Sequence, residues 1–453
     1  MEPDEVNPYV FRTNSIRGVF GRDLTEPLFR RIGGTFARFA PHGAVVACDH
    51  RVSSPSLKEA LIRGLTEAGC DVSDAGLAPK GIAVFAGWQL DLPLAYVSAS
   101  HLPAEWNGLK FIHPGGRTFA PAECAAVRDA FFSGEADAGG AGAVESREWR
   151  EAYLKFLARR LSRAAAPLKL LADCGDGTAA VLAPALLERL GFEVTTLFGD
   201  VDGSMPNRSS ELTPEALAKA GAAMDGHDLG LAFDGDADRV AFLDATGAPI
   251  DPERFAYVIL RELVKKEDGP LVANVACGAT IANLAERFGR RLYRTPVGTP
   301  HMIGEVLRRG AAFGMEISSH LVIPSVVPYD DAVAVGAYAA WALSRAKAEG
   351  RTLADLLAEV PPRARRRVPI EVADEKKALV MERLASRFKR DFDEVDELDG
   401  LRVEAEGGWA LVRASNTEPA LRLVVEAEDE GALEALIACF TETIGEAIAG
   451  APA

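Results

Sequence analysis

The sequence lacks an excess of positive charge and any long apolar run. Its 453 residues carry 66 acidic and 50 basic side chains, which gives a formal net charge of −16. This balance argues against non-specific binding to nucleic acid or to an anionic membrane. An anionic ligand would therefore need positive charge collected locally at its site. The longest apolar run, residues 332–343, is too short for a membrane span of about 20 residues.

The sequence also lacks cysteine motifs and a secretory signal. Its six cysteines lie at positions 48, 70, 124, 174, 277 and 439, and no two have metal-ligand or redox-motif spacing. The N-terminal segment MEPDEVNPYVF has no basic stretch followed by an apolar one. We therefore expect reduced core thiols in a cytoplasmic protein. The hydrophobic fraction of 48% is ordinary for a globular chain.

Three segments, beginning at Ala44, Leu168 and Pro270, share one pattern. Each has a short apolar run, a polar loop, a stretch of helical periodicity and a second apolar run. This order predicts parallel strands joined by helical crossovers, and its wide spacing predicts three α/β domains.

The C-terminal part follows a different pattern. Apolar runs predict strands at 370–373, 409–413 and 421–426, and a helix is predicted at 432–448, which together indicate an α+β domain. The basic stretch PPRARRRVP, residues 361–369, is interpreted as a linker on a solvated hinge.

The sharpest motif is LGLAFDGDADRVAFLD, which begins at Leu229. Three carboxylates, those of Asp234, Asp236 and Asp238, follow an apolar strand at alternate positions. Their mutual repulsion in a tight loop between apolar strands predicts a bound cation, and hard oxygen ligands suit Mg²⁺. A calcium loop of EF-hand type is excluded, because its sixth and twelfth positions hold Arg239 and Ala245 instead of Gly and Glu.

A second motif, LPLAYVSASHLPAEWNGLKF from Leu92, brings Ser98, Ser100 and His101 to the end of an apolar strand. Active sites of α/β sheets lie at such strand ends. The serine could be a nucleophile or a phosphate carrier, although a single loop serine is more often structural. A Ser–His pair of the hydrolase type is weakly supported, because adjacent residues of an extended chain point apart.

Two further segments carry polar groups. In LVRASNTEPALRLVV, from Leu411, two arginines flank a turn of hydroxyl and amide side chains, which suits a phosphate but also an ordinary polar hairpin. In FGMEISSH, from Phe313, Glu316, Ser318 and His320 alternate and can share one face of an extended segment.

These segments, in this order, resemble the α-D-phosphohexomutase family over nearly the whole chain. FRTNSIRG resembles the family's opening FRxYDIRG or FGTSGIRG, CDHRVSS resembles GRDxRxS, and SASHLP with NGLK resembles the phosphoserine loop TASHNP…NGxK. DGDADR matches the metal loop, VGTPHM resembles VGxxxI, EISSH resembles GExSGH, and RASNTEPALR matches the phosphate loop.

The resemblance implies three related α/β domains and a C-terminal α+β domain in a heart-shaped arrangement, with the active site where the four meet. We place the domains at residues 1–150, 151–251, 252–365 and 366–453. It also implies an intramolecular phosphotransferase that interconverts hexose 1-phosphate and hexose 6-phosphate, with glucose or mannose as the sugar. The cofactor would be Mg²⁺, with a bisphosphorylated sugar as activator.

The resemblance further implies a role for each matching residue. Ser100 would carry the phosphoryl group and would ligate the metal with Asp234, Asp236 and Asp238. Sugar hydroxyls would be bound by Glu316 and Ser318. The phosphate that is not transferred would be held by Arg413, Ser415, Asn416, Thr417 and Arg422. The centre of the site would be lined by Arg17, His101, Lys110, Arg239 and His320.

Four departures from the family pattern leave the substrate open. Leu102 replaces the Asn of SHNP, Ser319 replaces the Gly of SGH, Asn14 and Ser15 replace Tyr and Asp, and Arg208 replaces the His of PNH. Alternatives are a phosphoglucosamine or phosphopentose mutase, a magnesium-dependent phosphatase, and a non-catalytic sugar-phosphate-binding homologue. The sequence predicts no nucleic-acid or membrane partner and gives no oligomeric state.

Overall fold

The computed structural model describes residues 6–134, 139–415 and 419–450. Its strands form four sheets, one after another along the chain. We call each sheet with its helices a unit. The units confirm the predicted series of three α/β parts followed by an α+β part. The exact division at residues 150, 251 and 365 stays a prediction.

The first unit contains the first predicted strand–helix–strand repeat. Its strands are β1 (Ile16–Val19), β2 (Ala44–Cys48), β3 (Val72–Leu77), β4 (Leu94–Val97), β5 (Trp106–Ile112) and β6 (Val144–Ser146). Its helices are α1 (Glu26–Phe36), α2 (Ser54–Glu67), α3 (Lys80–Leu90) and α4 (Pro121–Ser133). The sheet order is β1-β5-β4-β2-β3-β6, and β2 and β3 pair in parallel across the α2 crossover.

The second unit contains the second repeat and the acidic loop. Its elements are α5 (Arg150–Arg160), β7 (Lys169–Asp173), α6 (Ala183–Arg189), β8 (Glu193–Leu197), α7 (Pro214–Ala222), β9 (Leu229–Phe233), β10 (Val240–Leu243) and β11 (Pro249–Ile250). The sheet order is β11-β10-β9-β7-β8, and β7 pairs in parallel with both β8 and β9. The acidic loop is the tight connection between β9 and its antiparallel neighbour β10.

The third unit contains the third repeat. Its elements are α8 (Pro252–Leu263), β12 (Leu271–Asn274), α9 (Ala279–Arg287), β13 (Leu292–Thr295), α10 (Thr299–Arg309), β14 (Phe313–Met315), β15 (Leu321–Val322), α11 (Ala332–Ala348) and α12 (Leu353–Ala358). The sheet order is β13-β12-β14-β15, with β12 parallel to β13 and β14.

The fourth unit is an antiparallel sheet with two long helices. Its elements are β16 (Ala364–Glu371), α13 (Asp374–Asp391), β17 (Leu401–Ala405), β18 (Gly408–Ala414), β19 (Ala420–Ala427) and α14 (Glu430–Ala449), and the sheet order is β16-β19-β18-β17. The interpretation of 361–369 as a solvated hinge is wrong for residues 364–369, because these belong to the edge strand β16. Its arginines are not simply solvated: Arg365 donates to Glu426 on β19 at 2.9 Å.

The first three units share one apolar core, and the fourth has its own. The shared core includes the buried rings of Tyr96, Phe233 and Phe313 from the three successive units. The core of the fourth unit lies between its sheet and its helices, around Leu384 and Phe440. A small apolar cluster that includes Val275 and Trp409 joins the third unit to the fourth. Polar contacts of Arg365 and Arg402 join the same two units.

No helix among the described residues is both long enough and apolar enough to span a membrane. The six cysteines are all free thiols, four of them buried. Burial raises the pKa of Cys48 to about 12, which keeps that thiol protonated.

Two adjacent glycines in α1 meet different surroundings. A Cβ atom added to Gly33 would lie 2.3 Å from the carbonyl oxygen of Leu61 in α2, which no real Cβ atom tolerates. The nearest atom to a Cβ on Gly34 would be the carbonyl oxygen of Gly64 at 3.7 Å, an ordinary contact. The close crossing of α1 and α2 thus depends on Gly33 and not on Gly34.

We expect Gly33→Ala to destabilise the protein by about 1–3 kcal/mol, the usual cost of overpacking. The neighbouring Gly34→Ala is the matched control and should be neutral or stabilising by up to about 1 kcal/mol, because alanine favours a helix over glycine. Scanning calorimetry of both variants measures the difference. Equal melting temperatures would contradict this account of the crossing.

Candidate active site

The acidic loop after β9 presents three buried carboxylates to one point. Asp234, Asp236 and Asp238 each offer an oxygen, and these oxygens lie within 4.8 Å of one another. The turn requires a left-handed backbone at Ala237, where φ is 57°. Two of the oxygens, Oδ1 of Asp236 and Oδ1 of Asp238, are buried without a hydrogen-bond partner among the described residues. Such orphaned carboxylate oxygens are costly unless a cation binds them, so the loop fits a hard divalent metal ion.

Cations from other parts of the chain balance the charge of this loop. Lys110 on β5 places Nζ 2.9 Å from Oδ2 of Asp236 and 3.0 Å from Oδ2 of Asp238. Burial alone would lower the pKa of Lys110, but the two carboxylates outweigh it and raise the pKa. Arg239 donates from Nε to Oδ2 of Asp234 at 2.9 Å. Burial, assisted by Asp238 and opposed by Arg239, raises the pKa of Asp234 to about 7.

The loop after β4 directs Ser100 at these carboxylates. The Ser100 hydroxyl donates to Oδ2 of Asp234 at 3.0 Å. Ser98 accepts from the Ser100 backbone N–H at 2.8 Å and donates to Oδ2 of Asp236 at 2.9 Å, so it ties the two loops together. Ser100 itself has a φ of 53°, a left-handed conformation that costs energy in a residue with a side chain. The hydrogen bonds to Ser98 and Asp234 hold the backbone and the hydroxyl in this conformation.

Arg51 fixes the serine loop from behind. Its guanidinium is buried, pairs with Asp49 at 3.1 Å and donates to the backbone carbonyls of Ser100 at 2.8 Å and Leu102 at 2.6 Å. It also donates to the carbonyls of Pro103 and Trp106. In the serine loop, Arg51 contacts backbone carbonyl oxygens only. The replacement of the family's Asn by Leu102 therefore does not remove any of these contacts.

The histidine next to the serine is held neutral. His101 has Nδ1 3.4 Å from the Ser100 hydroxyl oxygen and Nε2 3.6 Å from Oε2 of Glu211. Burial, and then the charges of Arg239 and Arg17, lower the pKa of His101 to about 3. Nε of Arg17 is buried without a partner among the described residues, which leaves a guanidinium donor available to an anion.

The segment after β14 places Glu316 in the third unit's part of the site. One carboxylate oxygen of Glu316 accepts from Nδ2 of Asn274 at 2.8 Å and from the N–H of Gly298 at 2.7 Å. Ser319 has a φ of 70°, so it takes the left-handed conformation that favours the glycine of the family pattern. Ser318 is exposed and lies outside the cavity lining described below.

The strands β18 and β19 contribute the arginines of the fourth unit. Arg413 and Arg422 are directly opposite each other in the strand register. Arg413 pairs with Asp399 at 2.7 Å, and Asp399 also accepts from the Val297 N–H of the third unit at 2.8 Å. Nε of Arg413 is buried and has no partner among the described residues. Asn416 and Thr417 lie outside the described residues.

One cavity of about 370 Å³ brings the four units together. Polar or charged side chains from all four units line it, and the second unit contributes only Asp238. The predicted site residues in the lining are Arg17, Ser100, His101, Lys110, Asp238, Glu316, His320, Arg413, Ser415 and Arg422. Three predicted residues of the acidic loop lie outside the lining. Asp234 and Asp236 contact Ser100 and Lys110 of the lining, and Arg239 contacts Asp234.

Four charged residues that contact this site were not predicted from the sequence. Lys80 and Asp330 form a buried ion pair beside Asp238, with Nζ and Oδ1 2.7 Å apart. Asp399 orients Arg413, and Glu211 pairs with Arg239 at 3.2 Å. A signal existed for Lys80 only, since it closely follows the strand β3 of a predicted parallel pair, where sites are expected.

Comparison with known proteins finds matches over most of the chain. Four family models, described as phosphoglucomutase/phosphomannomutase alpha/beta/alpha domains I, II and III and C-terminal domain, match residues 8–138, 151–247, 251–364 and 368–442. A probable phosphoglucosamine mutase of Methanopyrus kandleri is 34% identical over 440 residues, which cover 93% of this chain and 94% of that protein.

Two further proteins are similar over nearly their full length. A phosphomannomutase/phosphoglucomutase of Pseudomonas aeruginosa is 32% identical over 446 residues, 95% of this chain and 94% of that protein. The crystal structure of a phosphoglucomutase/phosphomannomutase family protein from Burkholderia thailandensis superposes with a TM-score of 0.89 at 28% identity and covers 99% of both chains. The chain therefore belongs to the phosphoglucomutase/phosphomannomutase family, the α-D-phosphohexomutases.

Proposed function

We propose that this protein is a mutase that interconverts hexose 1-phosphate and hexose 6-phosphate, with glucose, mannose or both as the sugar. The observation that carries the proposal is that one cavity is lined both by Ser100, hydrogen-bonded to the acidic loop, and by Arg413 and Arg422. A phosphoryl carrier and an anion clamp in one cavity are what the transfer of phosphate between two ends of one sugar requires.

In the proposed reaction, Ser100 carries a phosphoryl group on Oγ. A free hydroxyl of a bound sugar phosphate attacks the phosphorus, the bond to the serine oxygen breaks, and a sugar bisphosphate forms. The sugar hydroxyl gives up one proton and the serine oxygen regains one, so the transfer is balanced in protons. The bisphosphate turns over in the site and returns its other phosphoryl group to Ser100.

Charge stabilisation is the main demand of such a transfer. Asp234, Asp236 and Asp238 would hold Mg²⁺ together with an oxygen of phosphorylated Ser100. When bound, the ion would neutralise charge on the transferring group. Lys110, which contacts two of these carboxylates and lines the same cavity as Ser100, would do the same.

The remaining residues bind and enclose the sugar. The sugar hydroxyls would be bound by Ser318 and by Glu316, which Asn274 and Gly298 orient. The phosphate that is not transferred would be held by Arg413, Ser415, Asn416, Thr417 and Arg422. Because the fourth unit has a separate core, it can close over the cavity. Closure would keep water from the phosphoserine.

A second candidate substrate is glucosamine phosphate, because the relative from Methanopyrus kandleri bears the name probable phosphoglucosamine mutase. The test is a comparison of glucose 1-phosphate, mannose 1-phosphate and glucosamine 1-phosphate, each with Mg²⁺ and a trace of glucose 1,6-bisphosphate. We expect conversion of glucose or mannose 1-phosphate to the 6-phosphate, lost with EDTA. Turnover of the amino sugar alone would favour the second candidate, and silence with all three would contradict the mutase assignment.

We expect Ser100→Ala to abolish turnover, because the phosphoryl group then has no carrier. The variant should still fold and bind sugar phosphate, since the hydroxyl contacts Asp234 and His101 but holds no part of the fold in place by itself. Ser133→Ala, at the exposed end of α4, is the matched control and should keep full activity. Wild-type turnover by Ser100→Ala would remove Ser100 from the mechanism.

We expect Arg413→Ala to raise KM about 10- to 100-fold, since it removes charge-assisted hydrogen bonds worth about 1.5–3 kcal/mol. Steady-state kinetics over a wide range of sugar phosphate concentrations measure the change. Arg387→Ala is the control, because Arg387 forms an ion pair with Asp391 on the helix α13 of the same unit. An unchanged KM in Arg413→Ala would take Arg413 out of the phosphate clamp.

A further inference from the structure

A second lysine, Lys80, reaches the acidic loop. It is the first residue of α3, and its side chain is only 3% exposed. Nζ lies 3.1 Å from Oδ2 of Asp238 and 2.7 Å from both carboxylate oxygens of Asp330. The Lys80 backbone N–H also donates to the carbonyl oxygen of Asp236 at 3.0 Å. One residue of the first unit thus contacts the acidic loop of the second unit and Asp330 of the third.

Lys80 and Lys110 share the same oxygen of Asp238. Both ammonium groups bind Oδ2, at 3.1 and 3.0 Å, while Oδ1 has no hydrogen-bond partner among the described residues. Asp238 is therefore held so that one oxygen is taken by cations and the other is left for a ligand. His320 also lies near this second oxygen, with Nδ1 at 3.7 Å.

The charge on Lys80 acts directly on any cation in the loop. A positive charge this close and this deeply buried repels a divalent ion strongly, since buried charges are poorly screened by solvent. At the same time, Lys80 removes a cost, because without it Asp238 and Asp330 would be two buried carboxylates with one cation fewer between them. The first effect weakens metal binding and the second stabilises the fold, so a measurement of binding and a measurement of stability separate them.

We propose that Lys80 is a positioning residue that limits the affinity of the acidic loop for a divalent cation. It fixes Asp238 with one oxygen available, and its charge keeps binding weak until a negatively charged group arrives in the cavity. Phosphate on Ser100 is such a group, because the Ser100 hydroxyl already contacts Asp234. The inference rests on the proposed assignment of the three aspartates as metal ligands.

The test measures Mn²⁺ binding to the full-length protein after phosphatase treatment, by paramagnetic resonance of the free ion. Lys80→Gln keeps a hydrogen-bond donor and removes the charge, and we expect it to bind Mn²⁺ at least 10-fold more tightly than wild type. Lys80→Arg keeps the charge and should bind like wild type. Lys58→Gln is the control, because Lys58 forms a partly buried ion pair with Asp74 elsewhere in the first unit.

A purely structural role gives the opposite result. If Lys80 only stabilises the fold, Lys80→Gln should bind Mn²⁺ with unchanged or lower affinity, and that result would overturn the inference. Should Lys80→Gln fail to fold, the same comparison is made in an Asp330→Asn background, where the unpaired carboxylate is absent. There, Lys80→Gln should again strengthen binding at least 10-fold relative to Asp330→Asn alone, and no gain would overturn the inference.

The same titration separates this inference from the metal assignment. Binding that is lost in Asp236→Asn but is unaffected by Lys80→Gln would overturn the role of Lys80 and leave the three aspartates as ligands. Absence of Mn²⁺ binding from wild type and from every Lys80 variant would overturn both. Tighter binding by Lys80→Gln that is lost again in Lys80→Gln/Asp236→Asn would support both.

Discussion

Three carboxylates are buried side by side at the end of β9, and the rest of the site is arranged around the charge they carry. Like charges in a low-dielectric interior repel strongly, so the loop is tolerable only because cations reach it from elsewhere. Lys80 and Lys110 come from the first unit and Arg239 from the loop itself. The ion pairs of Lys80 and Lys110 therefore hold the first two units together near the contact between Ser100 and Asp234.

The fourth unit contributes in a different way. It has its own apolar core, and its arginines line the cavity from the strands of its sheet. Asp399 links the two arrangements, because it orients Arg413 and also accepts from Val297 of the third unit. The fourth unit thus adds positive charge to a cavity whose other charged groups come from the first three units.

Local pattern predicted most of the fold and the centre of the site. The three strand–helix–strand repeats and the acidic loop follow from apolar periodicity and residue type within short segments, and the sheets bear them out. The prediction of a solvated hinge at 361–369 was wrong for residues 364–369, because in the sequence the arginines of an exposed edge strand resemble those of a solvated hinge. The helix α13 and the strand β17 were missed. Lys80 and Asp330 were also missed, since they pair across 250 residues and no local pattern signals such a contact.

The central claim is that Ser100 carries the phosphoryl group between enzyme and sugar. The most direct measurement labels the protein with glucose 1,6-bisphosphate carrying radioactive phosphorus, maps the label by peptide analysis, and then adds unlabelled glucose 1-phosphate. The account predicts label on Ser100 that leaves with the added sugar and appears in glucose 1,6-bisphosphate. Label that never reaches Ser100, or that leaves only as inorganic phosphate, would contradict it.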